Sequence, residues 1–190
     1  MDLEVITTSS KELNTSNIEQ VEAFADKYPQ TDILVLNTGG PPAKNFYEIT
    51  KEDWLRYYNQ LFLSFCILLQ KIKINQGGYI FLISSYNIKE PDPNLILSNS
   101  YRIAFSSILK SLSQQYASQE VSCINIAPGP IKTDRLYSLV SDVEAFETTL
   151  PMKRAGQPEE IGEFVKLIIE NHIKYLTGVT INFDGGLSKY

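Results

Sequence analysis

The chain has 190 residues, 43% of them hydrophobic, and a formal net charge of −5. That size and composition suit one globular domain, residues 1–190, with a sizeable core, and exclude a disordered chain. The acidic balance argues against nucleic acid or an anionic membrane as a partner, and no apolar run reaches the roughly 18 residues of a membrane helix.

In chain order, Leu3–Thr7 reads as a short strand. Asp2 and Glu4 sit where a secretory leader would carry basic residues. Ser16–Tyr28 reads as a helix: Ser16, Asn17, Ile18 and Glu19 form a capping box, and Ile18, Val21, Phe24 and Ala25 share a face. Asp32–Leu36 is a buried strand. Thr50, Lys51, Glu52 and Asp53 cap a long helix to about Ile72, with Trp54, Tyr58, Leu61, Phe65 and Leu68 at helical spacing. Tyr79–Ile83 is a strand, about Asn99–Ala117 a helix, and Val121–Ile126 a strand. Thr133–Pro151 shows no clear period and lies where a substrate lid or an ordinary crossover would sit. Pro158, Glu159 and Glu160 open a helix to about Glu170, and Val179–Phe183 is the last strand. Alternating strands and helices predict a parallel, right-handed, doubly wound sheet. Cys66 and Cys123, both in apolar segments, read as buried free thiols of a cytoplasmic protein. One histidine and two cysteines argue against a zinc site.

Polar and glycine-rich steps follow the apolar runs at Asn37-Thr38-Gly39-Gly40, Ser84-Ser85, Pro128-Gly129-Pro130-Ile131 and Asp184-Gly185-Gly186. Ligand-facing loops occupy such places in an open α/β sheet, where glycine lets a ligand approach the backbone. Read alone, the first is a strand-exit turn and the third a rigid loop.

From Asp32 to the C-terminus, these landmarks in this order resemble the short-chain dehydrogenase/reductase family, particularly its 3-oxoacyl-carrier-protein-reductase-like branch. The resemblance implies an α/β fold with a Rossmann-like doubly wound parallel sheet, here N-terminally shortened. It also implies an oxidoreductase with a small-molecule carbonyl or hydroxyl substrate, NAD or NADP as cofactor, and a homo-oligomer, dimer or tetramer, paired through the two long helices and the C-terminal strand. Asn37, Thr38 and Gly39, with Gly40 beside them, resemble the turn on the adenosine side of the cofactor. Ser85 resembles the catalytic serine. Pro128 and Gly129, with Ile131 and Thr133, resemble the loop that touches the nicotinamide. Pro151, Arg154, Gly156, Pro158-Glu159-Glu160, Tyr175-Leu176-Thr177-Gly178 and Asp184-Gly185-Gly186 resemble the C-terminal signature.

The sequence departs from that family at defined places. The glycine-rich turn that sets a diphosphate against a helix N-terminus is missing, and two βα units, about 60 residues at about 30 each, are not seen before Asp32. Asp32–Leu36 is then expected to be an exposed edge. Three answers stay open: a shortened or mis-started chain, Leu3–Thr7 pairing beside Asp32–Leu36, or cover from another subunit. The family pairs its serine with a Tyr-x-x-x-Lys helix thirteen residues on; here 98 − 85 = 13, position 98 is Ser98, and Arg102 stands for the lysine. Tyr101 cannot take the tyrosine's place, because its i+4 partner is Phe105. A family asparagine falls on Leu61. A serine hydroxyl is a far weaker acid than a phenol, and an arginine stays protonated and relays protons poorly. Two functions follow. In the first, the chain is an oxidoreductase with an altered set: Ser85 and Ser98 bond the carbonyl oxygen, Arg102 anchors a ribose or the substrate, and water gives the proton. In the second, it is an inactive homologue that binds a small ligand or pairs with a partner.

Overall fold

The computed structural model describes residues 4–189. Its sheet has four parallel strands in the order β1-β2-β3-β4: β1 (Gln30–Leu36), β2 (Lys73–Ile83), β3 (Ser122–Pro128) and β4 (Val179–Phe183). Between β1 and β2 run α2 (Lys51–Tyr58) and α3 (Ser64–Lys71), joined by a π-helical turn at Asn59–Leu63. The expected long helix is therefore continuous but carries one over-wide turn. Between β2 and β3 runs α4 (Ile96–Tyr116). The unassigned stretch after β3 holds two short helices, α5 (Asp134–Leu139) and α6 (Val143–Thr149), before α7 (Pro158–Glu170). An α1 helix (Ile18–Lys27) precedes β1.

Local chemistry sets the helix starts. Thr50 Oγ1 accepts from the Asp53 N–H, and Asp53 Oδ2 accepts from the Thr50 N–H, both at 3.1 Å, as the capping box predicts. The box expected at Ser16 is displaced. Asn17 is the cap, accepting from the Gln20 N–H at 3.1 Å, while Ser16 donates to Asn14 instead. Asparagine caps as well as serine, so the neighbouring residue with the better turn geometry wins.

Two faces of the sheet are covered differently. Leu36, Ile80, Leu82 and Cys123 pack under α1, α3 and α4, with Val21, Phe65 and Phe105 among the buried partners. Tyr79, Phe81, Ile124 and Ile126 pack under α7 through Ile168 and Ile169. The strands advance in one direction while α4 and α7 lie on opposite faces, so the β3–β4 crossover has the opposite hand to the β2–β3 crossover. A uniformly right-handed sheet was expected. The right-handed preference holds when a helix packs straight back on its strand. Here the chain first passes over the strand ends through α5 and α6, and this relaxes the constraint.

Gly78 shows how closely β1 and β2 approach. A Cβ there would lie 2.4 Å from the Asp32 carbonyl oxygen, beside the bulge where the pairing register shifts. The other side of β1 has no strand partner among the described residues, and Val35 is 50% exposed. The strand expected at Leu3–Thr7 does not form: Glu4–Thr7 are non-regular and exposed, and Leu3 lies outside the described residues. Without a ladder of hydrogen bonds to a neighbour, its β-branched residues do not make a strand. Both cysteines are free, and burial pushes the Cys123 thiol up to about 12.

Candidate functional site

The C-terminal ends of β1, β2 and β3 lie side by side, and the N-terminal third of α4 crosses behind them. Each strand stops for a local reason. After β1, Gly39-Gly40-Pro41-Pro42 cannot continue a ladder. After β2, the Ser84 N–H donates to the Ile126 carbonyl at 2.8 Å and Ser85 caps a 3-10 turn, Tyr86–Ile88. After β3, Gly129 follows Pro128. A Cβ at Gly129 would lie 2.8 Å from the Asp184 Cα, and its N–H donates to the Phe183 carbonyl at 3.0 Å, so glycine is required there by packing alone.

Arg102 ties these ends together. It is 8% exposed, and its Nε–H donates to Ser98 Oγ at 3.2 Å, one turn back on α4. Nη1 donates to the Ile83 carbonyl at 2.9 Å and Nη2 to the Thr38 carbonyl at 3.0 Å, joining the exits of β2 and β1. Burial, and next the nearby Arg135 guanidinium, pull the Arg102 pKa down to about 10. Ser98 is 7% exposed and accepts from Arg102, so its own hydroxyl proton remains available to donate. Ser85 is half-buried, and its Oγ accepts from the Asn87 N–H at 3.2 Å; it does not bond Ser98 or Arg102. The structure thus joins Ser98 to Arg102 directly, and places Ser85 two residues beyond the carbonyl that Arg102 grips.

The turn after β1 is held from three sides. Arg102 takes the Thr38 carbonyl, Gln60 Nε2 the Gly39 carbonyl at 2.8 Å, and Arg135 Nη2 the Pro41 carbonyl. Thr38 Oγ1 also lies 3.0 Å from Thr15 Oγ1. Asn37 and Gly39 are exposed, and a Cβ at Gly39 would meet nothing within 4 Å, so open space adjoins the turn. Gln60 comes from the π-helical turn and Arg135 from α5. Neither was singled out in the sequence, where each looks like an ordinary polar residue. Leu61 is buried against Tyr57 and Leu97, as its apolar side chain requires.

Past β3, Ile131 bridges to Gly156, and exposed Thr133 precedes α5 with its Oγ1 donating to the Ile131 carbonyl at 3.3 Å. A cavity of about 300 Å³ opens beside this loop, lined by Ile131, Met152, Phe183 and Asp184 among others. Burial would raise the Asp184 carboxyl, but hydrogen bonds from Ser188 and Gly186 outweigh it and hold it below the usual range. The phenols nearby are poor acids. Burial, then Asp92, Glu90 and Asp184, raise Tyr86; burial, then Tyr58, raise Tyr101, whose hydroxyl donates to the Trp54 carbonyl at 3.0 Å. Among the described residues, no group of His, Cys, Asp and Glu is arranged to hold a metal ion.

A parallel sheet flanked by helices on both faces, with its polar and glycine-bearing turns at the C-terminal strand ends, defines a Rossmann-like α/β protein. Residues 12–188 match the family described as enoyl-(acyl carrier protein) reductase, and the chain belongs to the short-chain dehydrogenases/reductases. Nodulation protein G of Azospirillum brasilense is 30% identical over 184 residues, spanning 92% of this chain and 75% of that protein. A short-chain dehydrogenase/reductase of Serratia marcescens superposes with a TM-score of 0.83 at 22% identity, covering 93% of this chain and 75% of the other. A blue fluorescent protein from a metagenomic library, in complex with NADPH, gives 0.83 at 21% identity, covering 92% and 73%. No helix among the described residues is long and apolar enough to cross a membrane.

Proposed function

We propose that the chain is a nicotinamide-dependent oxidoreductase acting on a small carbonyl or hydroxyl substrate through an altered set of residues. The observation that carries this reading is the Arg102 Nε–Ser98 Oγ bond at the strand ends, at the two positions where, by the resemblance, the family's tyrosine and lysine would fall. The guanidinium polarises the Ser98 hydroxyl towards an oxygen that gains negative charge, and Ser85 offers a second hydroxyl. Neither serine is acidic enough to give up its proton near neutrality, so water supplies it.

The open space at Gly39, and the N–H groups of Gly39 and Gly40, which donate to no protein acceptor among the described residues, suit the close approach of a cofactor. NAD or NADP would be held by Asn37–Gly40 and by Pro128, Gly129, Ile131 and Thr133. When bound, it would supply or accept a hydride. The NADPH named for the metagenomic protein supports the phosphorylated form.

The engagement of Arg102 with two backbone carbonyls favours a second reading, in which the residue is a structural clip in an inactive homologue that binds a small ligand. Fluorescence titration with NADPH and NADH separates the two. Saturable micromolar binding is expected; no binding up to millimolar concentrations would sink the first reading. Restoring Ser98→Tyr with Arg102→Lys in a chain that binds cofactor is then expected to raise turnover with a simple ketone.

A further inference from the structure

Two guanidinium groups meet at the four-residue turn Thr38–Pro41, Arg102 from α4 and Arg135 from α5. Neither forms an ion pair with a carboxylate among the described residues, whereas the cations around them are neutralised. Lys44, just past the turn, pairs with Asp53 at 2.6 Å; Lys132, three residues before Arg135, pairs with Glu147 at 3.0 Å; and Arg154 pairs with Glu160 at 2.8 Å. The adjacent Asp134 is exposed and makes no ion pair. A buried guanidinium beside a second one, without a carboxylate partner, is costly, and a bound anion relieves that cost.

The turn itself is built to match. Its carbonyls at Thr38, Gly39 and Pro41 are each taken by a side-chain donor, and the N–H groups of Gly39 and Gly40 are left without a protein acceptor among the described residues. Free backbone N–H groups beside a cation offer an anion further donors. Gly40 lets the Arg135 fork lie on the backbone, since a Cβ there would sit 3.2 Å from Nη2. Only one of the five N–H donors of Arg135 is used by Pro41, so the fork retains donors for an oxyanion.

We propose that Arg135, backed by Arg102 and by the Gly39 and Gly40 N–H groups, binds an oxyanion, a carboxylate or phosphate, at the mouth of the crevice. The site rests on the arrangement of these groups, and it gives the oxidoreductase reading above an anionic ligand. The anion belongs either to the substrate or to the cofactor's diphosphate.

Calorimetric titration with inorganic phosphate at fixed ionic strength tests the site, using wild type, Arg135→Gln, Arg135→Lys and, as an unrelated cation on α7, Lys166→Gln. Saturable binding is expected in wild type and Lys166→Gln, with at least a tenfold loss in Arg135→Gln and an intermediate loss in Arg135→Lys. Melting curves check that each variant folds, and the lysine variant carries the test if the glutamine variant does not. No saturable binding, or equal affinity in wild type and Arg135→Gln, overturns the proposal. NADPH titration of the same proteins finds the source of the anion. Competition between phosphate and NADPH, with NADPH weakened in Arg135→Gln, assigns the site to the cofactor. Phosphate binding to the NADPH-loaded chain, with NADPH affinity unchanged in Arg135→Gln, assigns it to the substrate. Arg135-dependent phosphate binding with no NADPH binding supports the anion site and removes the nicotinamide reading.

Discussion

A single side chain, Arg102, connects three structural elements that are far apart in sequence. Its N–H groups bond Ser98 on its own helix and the last carbonyls of two neighbouring strand exits. A buried carbonyl left without a donor costs about 1–3 kcal/mol, so the bonds at Thr38 and Ile83 are worth more as avoided penalties than as attractions. Arg102→Met keeps most of the apolar stem and removes every donor. It is expected to lower the unfolding free energy by about 3 kcal/mol, measured in urea. Arg102→Lys, able to reach one carbonyl at a time, is expected to lose about half of that. A methionine variant within about 0.5 kcal/mol of wild type would show that water replaces the guanidinium and that the residue is not a clip.

At the scale of elements, starts and periods were legible while partnerships were not. Thr50 and Pro158 announce their helices because a cap acts within one turn of itself, and the bonds at Thr50 form as the pattern requires. The parallel doubly wound sheet followed from alternation and its Rossmann-like class from the resemblance, but the hand of the last crossover followed from neither, because it depends on how α5 and α6 carry the chain over the strand ends. Of the candidate site, Ser98 and Arg102 were visible only through the family resemblance, as the residues standing where its tyrosine and lysine would fall. Gln60 and Arg135 reach the turn from distant elements, and no local pattern encodes such contacts. The start of α7 offers a test of local electrostatics. The Arg154 guanidinium, and next the Gln157 N–H, hold the Glu160 carboxyl at about 2, below its ordinary 4.5. A carboxyl depressed in the folded state contributes stability that is fully present above the unfolded pKa and is lost as pH falls through the folded one. Arg154→Gln is therefore expected to melt below wild type at about pH 6, with the gap closing as pH falls from about 4.5 towards 2. Because the pair is exposed, the gap is small and shrinks with added salt. A gap that persists unchanged to about pH 2 would point to lost packing rather than to charge.

Apolar side chains stand exposed in several places among the described residues, and two of these places make different demands on the whole molecule. One is the free side of β1, where Val35 stands exposed and the strand has backbone groups to offer a partner. The other is the outer surface of the long helices, where Leu55 on α2 is 56% exposed and Ile103 on α4 is 51% exposed. Isolated exposed apolar residues are ordinary, but these two stand on helices that already pack together through the Trp54–Tyr101 and Tyr58–Tyr101 ring contacts, so the outer face of the helix pair carries apolar side chains. Such a face buries well against a second copy of itself in a two-fold pair, where each helix meets its own equivalent. Helix pairing and edge pairing are separable by charge. Ile103→Glu places a carboxylate against its symmetry mate on the helix face and leaves the sheet edge untouched; Val35→Lys does the reverse. Light scattering is expected to show the wild type as an oligomer, Ile103→Glu as a smaller species with an unchanged circular dichroism spectrum, and Val35→Lys at wild-type mass. If Val35→Lys alone dissociates the assembly, the copies join through β1, and the helix faces are simply solvent-exposed surface.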